Sequence, residues 1–459
     1  MAVSARHHTS AFALLSLLAG APACSDDLLG PAASQNVDPA SSGSGAGGSG
    51  TGGAGASGAA GGNGAGAGGG EACDRATATR TAPAALIDAF AADIAGGADA
   101  ATAADALVSA LLDAGGTPLV DPASDRVVFV WRGQPDGAVS VTGSWSDWAP
   151  GAVPLVRVGE SDVFAGEATL PQSERHEYKV VVGETFVEDR LARNVVWDRI
   201  DHHGPGEMNA VLHPEAGDAA RGRLVAWRDV PGVATADTRD VFAYLPAAYD
   251  AGDCAAFPVI EIHDGNESLT RVPFQDAADV TYAETPAAAA VLVFVALHAQ
   301  DERMSEYTFG DGTEGDAYVA FLRDELRPYE SARLRTCSAA ADRGIAGASL
   351  GGLISAYAAF QSPEAWGFVG SQSGSFFWED EALVSRAAAD PVVDVRWYVD
   401  HGCPDDNCAS NQALVAALES RGYAVEHLEE ANGQHDWAYW QKRLPTLLRA
   451  FRDGVIGCR

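Results

Sequence analysis

The sequence predicts an α/β fold with a mostly parallel sheet, preceded by a small all-β sandwich. Two changes in pattern along the 459 residues support this prediction. Short alternating strands separated by turn residues run from 126 to 212, which is typical of a sandwich. After residue 221, apolar runs alternate with amphipathic stretches, which is typical of parallel strands covered by helices on both faces.

The charge balance excludes some classes of partner. The chain has 63 acidic and 30 basic residues, a formal net charge of −33. Such a surface repels phosphate backbones, so we expect no nucleic acid partner and no direct binding to anionic membranes. Hydrophobic residues make up 47% of the chain, which is enough for sizeable cores.

Residues 1–24 resemble a signal peptide that ends at a cysteine. Arg6 precedes the short apolar run 11–18, and the small residues 21–23 come just before Cys24. The apolar run is too short to span a bilayer. We therefore expect export, with Cys24 lipidated and the protein held at the outer membrane or cell surface. The alternative is plain cleavage after Ala23 and secretion.

Two segments separate the signal peptide from the sandwich. Residues 25–72 are predicted to be a disordered tether, because 41–70 contain only Gly, Ala, Ser, Thr and Asn. Residues 73–122 are predicted to be helical, since Leu86, Phe90 and Ile94 recur every four residues. We expect these helices to pack on the sandwich that comes after them in the chain.

The predicted sandwich, 123–215, resembles a known module. The stretches 139–148, 154–155 and 177–180 are similar to the immunoglobulin-like E-set module of glycogen-branching enzymes and AMP-activated kinase β subunits. In glycan-binding members, two aromatic rings and a lysine form a platform for sugars. The resemblance places Trp148, Lys179 and Phe186 there, with Asn209 nearby; the alternative is that the tryptophans pack in the core or between domains.

The strongest catalytic signal is the pentapeptide 347–351, which matches G-x-S-x-G. Its glycines allow close approach of backbones around a strained turn between a strand and a helix. The pattern of 343–346 predicts a buried strand, and that of 352–360 predicts a helix. We therefore predict that Ser349 is a nucleophile in an α/β-hydrolase fold.

A serine nucleophile needs a base and an acid that orients it, in the chain order Ser, Asp or Glu, His. His435 lies in a polar turn before the last amphipathic run and is the predicted base; His401 fits less well. The predicted strand 395–399 runs into a loop with three candidate acids. We choose Asp405, with Asp406 and Asp400 as alternatives.

The segment 221–459 resembles the family of putative esterases. The resemblance rests on 347–352, 371–378, 402–405 and 433–437. This family includes enterochelin esterases, feruloyl and acetyl-xylan esterases, and S-formylglutathione hydrolases. The resemblance implies a serine esterase without metal or organic cofactor, in which the acid lies three residues after a glycine, at Asp405.

The same resemblance suggests further site residues. Backbone N–H groups of Leu350 and of Asp264 or Gly265 would form the oxyanion hole. Arg303, Trp378 and Trp437 would contact substrate. The alternatives are an internal salt bridge for Arg303 and core packing for the two tryptophans.

Six of the seven cysteines are predicted to form disulfides, because an exported chain favours them. Cys403 and Cys408 flank the acid loop, and we prefer a disulfide there to a metal site with His401. Cys254 and Cys337 each precede a predicted strand, and these strands are neighbours in the resembled fold. Cys73 and Cys458 would then pair.

These observations predict an exported serine esterase that acts on acyl groups of carbohydrates, such as feruloyl or acetyl esters. The expected partner is a small-molecule or polysaccharide ester, with membrane contact only through a lipid anchor. The alternatives are a ferric-siderophore esterase, an acyltransferase, and a non-catalytic glycan-binding surface lipoprotein.

Overall fold

The computed structural model describes residues 83–121, 123–197, 208–216, 221–250, 254–271, 274–452 and Cys458. The predicted signal peptide, Cys24, the tether and Cys73 lie outside these residues. No helix among the described residues is long and apolar enough to cross a bilayer.

Two helices precede the sandwich, α1 (Pro83–Ala95) and α2 (Ala100–Asp113). Asp99 caps α2, because its carboxylate accepts the N–H of Thr102 at 2.9 Å. The apolar faces of both helices are buried against one sheet of the sandwich in a small core. This packing joins the helices to the sandwich.

The described residues of the all-β part form nine strands in two layers. One layer contains β1, β2, β4 and β5, and the other contains β3, β6, β7, β8 and β9, with β4 pairing across to β3. The strands are β1 (Leu119–Val120), β2 (Arg126–Arg132), β3 (Val139–Gly143), β4 (Val153–Arg157), β5 (Val163–Thr169), β6 (His176–Val182), β7 (Thr185–Val187), β8 (Asn194–Trp197) and β9 (Met208–Leu212).

In the α/β part, the residues that the structure describes form eight strands in the order β10-β11-β13-β12-β14-β15-β16-β17. β11 runs antiparallel to both its neighbours and the remaining pairings are parallel, so the sheet is mixed. The strands are β10 (Arg223–Gly232), β11 (Asp237–Leu245), β12 (Val259–Ile262), β13 (Val291–Val295), β14 (Arg343–Ala348), β15 (Phe368–Gln372), β16 (Arg396–Cys403) and β17 (Val425–Ala431).

Helices cover both faces of this sheet and enclose two apolar cores. Strands β12 to β15 are buried along their whole length, as expected for strands between two helical layers. The helices are α3 (Gly265–Thr270), α4 (Phe274–Glu284), α5 (Arg303–Glu306), α6 (Gly315–Ala320), α7 (Arg327–Arg333), α8 (Leu350–Gln361), α9 (Trp378–Ala389), α10 (Cys408–Ser420) and α11 (Trp437–Phe451).

One sheet runs through both parts of the molecule. β8 of the sandwich pairs with β10, with Val195 opposite Leu224 and Asn194 opposite Val225. Val195 is buried in the same core as residues of the α/β part. The sandwich therefore extends the sheet of the α/β part rather than being attached through a loop alone.

Two disulfides are resolved, and one predicted pairing is among them. Cys403 pairs with Cys408 as predicted, but Cys337 pairs with Cys458 rather than with Cys254. The pairings Cys254–Cys337 and Cys73–Cys458 are therefore wrong. Phe451 at the end of α11 lies beside Gly344 at the start of β14, close in the chain to Cys337. Cys254 is in a disulfide as well.

Candidate active site

Ser349 lies on the turn between β14 and α8, at the carboxyl edge of the sheet. Its backbone angles are φ 60° and ψ −120°, a conformation that L residues rarely adopt and that costs on the order of 1–3 kcal/mol. A Cβ added to Gly347 would lie 2.8 Å from the Gly351 carbonyl carbon. The glycines therefore permit the tight approach that exposes a serine on a strand–helix turn.

The loop after β12 lies against this turn. A Cβ added to Gly351 would lie 3.3 Å from His263 Cβ and 3.4 Å from Asp264 Oδ2. Asp264, Ser349 and Ser373 each follow a central strand and each have positive φ. Three of the fourteen described non-glycine residues with positive φ therefore lie where these strand ends meet.

The histidine of the site is held by an aspartate. His435 Nδ1 lies 2.7 Å from Asp406 Oδ1, and the Asp406 side chain is fully buried. Asp405, the residue chosen from the sequence, is exposed, so the prediction that it contacts the imidazole is wrong. The chain turns after the cis Cys403–Pro404 bond so that the second aspartate faces inward.

The second oxygen of Asp406 has three further donors. Ser373 Oγ and Gly402 N each donate to Oδ2 at 2.7 Å, and Arg443 lies 3.4 Å from the same oxygen. Burial alone would raise the pKa of Asp406, but the hydrogen bonds from His435, Ser373 and Gly402 outweigh it and lower the pKa to about 2. Asp406 is therefore a carboxylate at neutral pH and can stabilise a positively charged imidazole.

Arg443 was not identified from the sequence, where it is one of several charged residues in an amphipathic run. Only 2% of its side chain is exposed, and it donates to Ser373 Oγ at 3.1 Å. Its Nε lies 3.2 Å from Asp400 Oδ1, without the alignment of a hydrogen bond. Arg443 therefore places a buried positive charge behind both aspartates.

Asp400, the third acid considered, lies at the end of β16 under the site. It accepts a hydrogen bond from Gln372 Nε2 at 3.0 Å and contacts no histidine among the described residues. Burial raises the pKa of Asp400 to about 7, although Arg443 opposes the shift. Asp400 supports Arg443 and does not orient the base.

The segment 372–375 links the serine to the aspartate. Ser349 N donates to the Gln372 carbonyl at 2.9 Å, and Ser375 N donates to the Ser349 carbonyl at 3.1 Å. Ser373 in turn donates to Asp406. In the part of the chain that the structure describes, the Ser349 hydroxyl contacts Ser375 Oγ at 3.3 Å rather than His435. We expect the serine to change rotamer when it reacts, since such bonds often form only in the substrate complex.

The predicted oxyanion-hole donors differ in their surroundings. Leu350 is the first residue of α8 and Gly265 is the first residue of α3, positions whose N–H groups have no partner within the helix. The Asp264 N–H instead donates to Tyr307 OH at 2.9 Å, so its proposed role is wrong. Leu350 and Gly265 stay as predictions.

Arg303 makes an internal salt bridge rather than facing substrate. Its Nε and second terminal nitrogen bind the two oxygens of Asp264 at 2.6 and 2.8 Å. The same terminal nitrogen lies 3.3 Å from the carbonyl of Ala348, the residue before Ser349. The prediction that Arg303 contacts substrate is therefore wrong. Arg303 instead connects α5, the loop after β12 and the serine turn.

The two predicted pocket tryptophans are half-buried. Trp378 donates from Nε1 to the Phe309 carbonyl at 2.9 Å and packs on the core. Trp437 lines a small pocket together with Gly347, Ala348 and Phe274. Trp437 therefore lies beside the serine turn, whereas Trp378 contributes mainly to packing.

The side chains predicted to form a glycan-binding platform do not make an exposed surface together. Lys179 is fully buried, so its role as a surface contact to sugar is wrong. Trp148 and Phe186 are half-buried. Asn209 is 2% exposed and donates to Glu177 at 3.0 Å, and Trp145 stacks on Phe129 in the core. The lysine is on the inner side of its strand, which the pattern of the sequence did not reveal.

The strand order, the serine turn and the pair formed by His435 and buried Asp406 define a protein of the α/β-hydrolase class. Residues 233–451 match the family described as "Putative esterase". These 219 of the 459 residues are similar to that family.

Two curated proteins and one solved structure illustrate the range of its relatives. The chain is 25% identical over 325 residues to an iron(III) enterobactin esterase of Dickeya dadantii, covering 63% of this chain and 70% of that protein. It is 24% identical over 214 residues to an endo-1,4-beta-xylanase/feruloyl esterase of Xylanibacter ruminicola, covering 45% and 28%. The structure of an enterobactin esterase from Shigella flexneri matches with a TM-score of 0.44 and 19% identity, covering 71% and 92%.

Proposed function

We propose that the protein hydrolyses carboxylic esters with Ser349 as nucleophile, His435 as base and Asp406 as the orienting acid. The observation that carries this proposal is the 2.7 Å bond between His435 and buried Asp406 at the sheet edge that carries the serine turn. Asp406 takes the role predicted for Asp405, because the Asp405 side chain is exposed.

The proposed reaction depends on the roles of these side chains. Ser349 Oγ attacks the ester carbonyl while its proton moves to His435 Nε2, and Asp406 stabilises the resulting imidazolium. The imidazolium then protonates the leaving alcohol. Water, deprotonated by His435, attacks the acyl-enzyme and releases the acid. Each oxyanion donor contributes on the order of 3 kcal/mol to the transition state.

For the substrate, we propose acyl esters of carbohydrates, with an aromatic acyl group such as feruloyl. The rings near the serine turn support an aromatic acyl group. Trp437 lines the adjacent cavity, and Phe377, two residues after Ser375, is 55% exposed. The feruloyl esterase relative supports a carbohydrate substrate.

A ferric-siderophore lactone is the second candidate. Its support is the extent of the match to the enterobactin esterase, which at 325 residues is longer than the α/β part of this chain. Enterobactin also carries aromatic acyl groups, so the same apolar surface suits both substrates. The two candidates differ in both parts of the ester: a feruloyl group on a sugar hydroxyl in one, and an N-acylated seryl carboxyl on a seryl hydroxyl in the other.

A hydrolysis panel with methyl ferulate, acetylated xylan, ferric enterobactin and p-nitrophenyl acetate tests this proposal. We expect turnover of the p-nitrophenyl ester and, at the highest kcat/KM, of the ferulate. The variant Ser349→Ala should lose several orders of magnitude in kcat with all of them. Preference for enterobactin would select the second candidate, and transfer of the acyl group to added sugar would indicate an acyltransferase.

We also propose that the chain is exported, lipidated at Cys24, and carries its sandwich as an E-set module. The described cysteines, Cys254, Cys337, Cys403, Cys408 and Cys458, are all in disulfides, which supports an oxidising compartment. Labelling with an alkyne palmitate in the producing cell tests the anchor. Incorporation into the natural chain but not into Cys24→Ala is expected.

A further inference from the structure

Two histidines outside the catalytic triad face each other at the end of β16. His401 Nε2 lies 3.0 Å from His427 Nε2, and the two rings stack with their centroids 5.1 Å apart. His401 is fully buried, whereas His427 on β17 is exposed. The reaction proposed above uses neither residue.

The hydrogen bonds of His401 define which of its nitrogens carries the proton. Nδ1 lies 3.2 Å from the Gly402 carbonyl oxygen. Because that oxygen only accepts, Nδ1 holds the proton and Nε2 presents its lone pair to His427. Histidines that bind a metal through one nitrogen usually donate from the other to a carbonyl or carboxylate in this way.

A carboxylate lies on the same face of the sheet as the two histidines. Glu429 is opposite His401 in the β16–β17 register and follows His427 by two residues, so the three side chains share one face of the sheet. A ligand atom of Glu429 lies within 4.8 Å of one of His401, but the group of ligand atoms this close to one another does not include His427. Glu429 Oε2 accepts a hydrogen bond from Gln412 Nε2 at 2.8 Å, so it reaches a metal held by the two histidines after a change of rotamer. Cys403 and Cys408 are part of the same cluster, but their sulfurs are joined in a disulfide.

We propose that His401, His427 and Glu429 bind a divalent transition-metal ion, with Zn²⁺ as the best match. Two imidazole nitrogens bound to one tetrahedral zinc, each at about 2.0–2.1 Å, lie about 3.4 Å apart. The observed pair needs to open by only about 0.4 Å for the metal to replace the shared proton. Two histidines, one carboxylate and an open position for water form a common zinc ligand set.

Metal bound here joins the ends of β16 and β17 next to the acid loop. His401 precedes Gly402, whose N–H donates to Asp406 at 2.7 Å. We therefore expect Zn²⁺ to stabilise this corner of the fold without taking part in ester hydrolysis. The inference does not depend on the proposed reaction, since its test measures binding.

Calorimetric titration of the EDTA-treated full chain with zinc sulfate, without reductant, tests the site. We expect saturable binding that is at least tenfold weaker in His427→Ala and weakened in Glu429→Gln, with a zinc-dependent rise in Tm only where binding survives. Because His427 and Glu429 are exposed, both variants should fold, which circular dichroism checks. The matched control is His298→Ala, which removes an exposed histidine bonded to the Thr238 carbonyl, and it should bind like the natural chain.

Three outcomes would overturn the proposal. Unchanged binding by His427→Ala would exclude the pair of histidines. Loss of binding in His435→Ala with retention in His427→Ala would place the metal at the triad. Binding that appears only after dithiothreitol reduces the Cys403–Cys408 disulfide would assign it to the two thiolates instead.

Discussion

Two adjacent aspartates on one loop have opposite environments, and the mechanism depends on which one faces inward. Asp406 is fully buried and bonded to His435, Ser373 and the Gly402 N–H. Asp405 is exposed. The spacing between the glycine and the acid in the sequence cannot distinguish Asp405 from Asp406. The geometry of the turn decides which of the two side chains reaches the imidazole.

The first prediction compares these two aspartates. Asp406→Asn should lower kcat by about 10⁴, because the amide no longer stabilises the imidazolium or fixes its tautomer. Asp405→Asn, the matched control one residue away, should stay within about twofold of the natural enzyme. Steady-state hydrolysis of p-nitrophenyl acetate measures both. Equal losses in the two variants would contradict the assignment of the acid.

A second prediction concerns buried Asp400, whose pKa is raised to about 7. Between about pH 4 and pH 7, Asp400 keeps its proton in the folded state but has released it in the unfolded chain. The stability that this proton contributes is therefore lost as pH rises through that window, by at most about 1.4 kcal/mol per pH unit. The free energy of unfolding of Asp400→Asn should lack this decline. Urea unfolding measures the free energy of unfolding of both proteins from pH 4 to 7. The same dependence on pH in both proteins would contradict this prediction.

At the scale of elements, the strand–turn–helix around Ser349 was accessible from the sequence, and the acid loop was not. The run 343–346 predicted a buried strand and 352–360 a helix, and the structure has β14 and α8 there. These are local patterns. The pairing of Cys337 with Cys458 depends instead on where the chain arrives after α11, and the inward side of Lys179 depends on the register of β6.

The third prediction concerns the disulfide that closes the acid loop. Cys403 and Cys408 are only five residues apart, so their bond contributes little chain-entropy stabilisation. It does hold the turn that presents Asp406. The double variant Cys403→Ser/Cys408→Ser should lose activity at least tenfold while its Tm changes by only a few degrees. Full activity of this variant would show that the loop keeps its shape without the bond.

At the scale of the whole molecule, a continuous sheet and buried charge join the sandwich to the α/β part. Arg228 of β10 binds Glu188 of the sandwich at 2.9 Å and Asp240 of β11 at 2.7 Å. The arginine side chain is 8% exposed. The two parts should therefore unfold together, as one cooperative unit.

The fourth prediction tests this junction. Arg228→Ala leaves two carboxylates without their shared partner and should lower the free energy of unfolding by about 2–3 kcal/mol. The control is Arg126→Ala, which breaks the exposed Arg126–Glu167 pair within the sandwich and should cost less than about 1 kcal/mol. Urea unfolding followed by tryptophan fluorescence measures both. Two separate transitions in the natural chain would contradict the single unit.

The central claim is that Ser349 is a nucleophile activated by His435. Its most direct test is mass spectrometry after reaction with a fluorophosphonate, which modifies activated serines covalently. We predict one adduct per chain, located on Ser349, absent in Ser349→Ala and strongly slowed in His435→Ala. An adduct on Ser375 or elsewhere, or equal labelling of the His435 variant, would contradict the account.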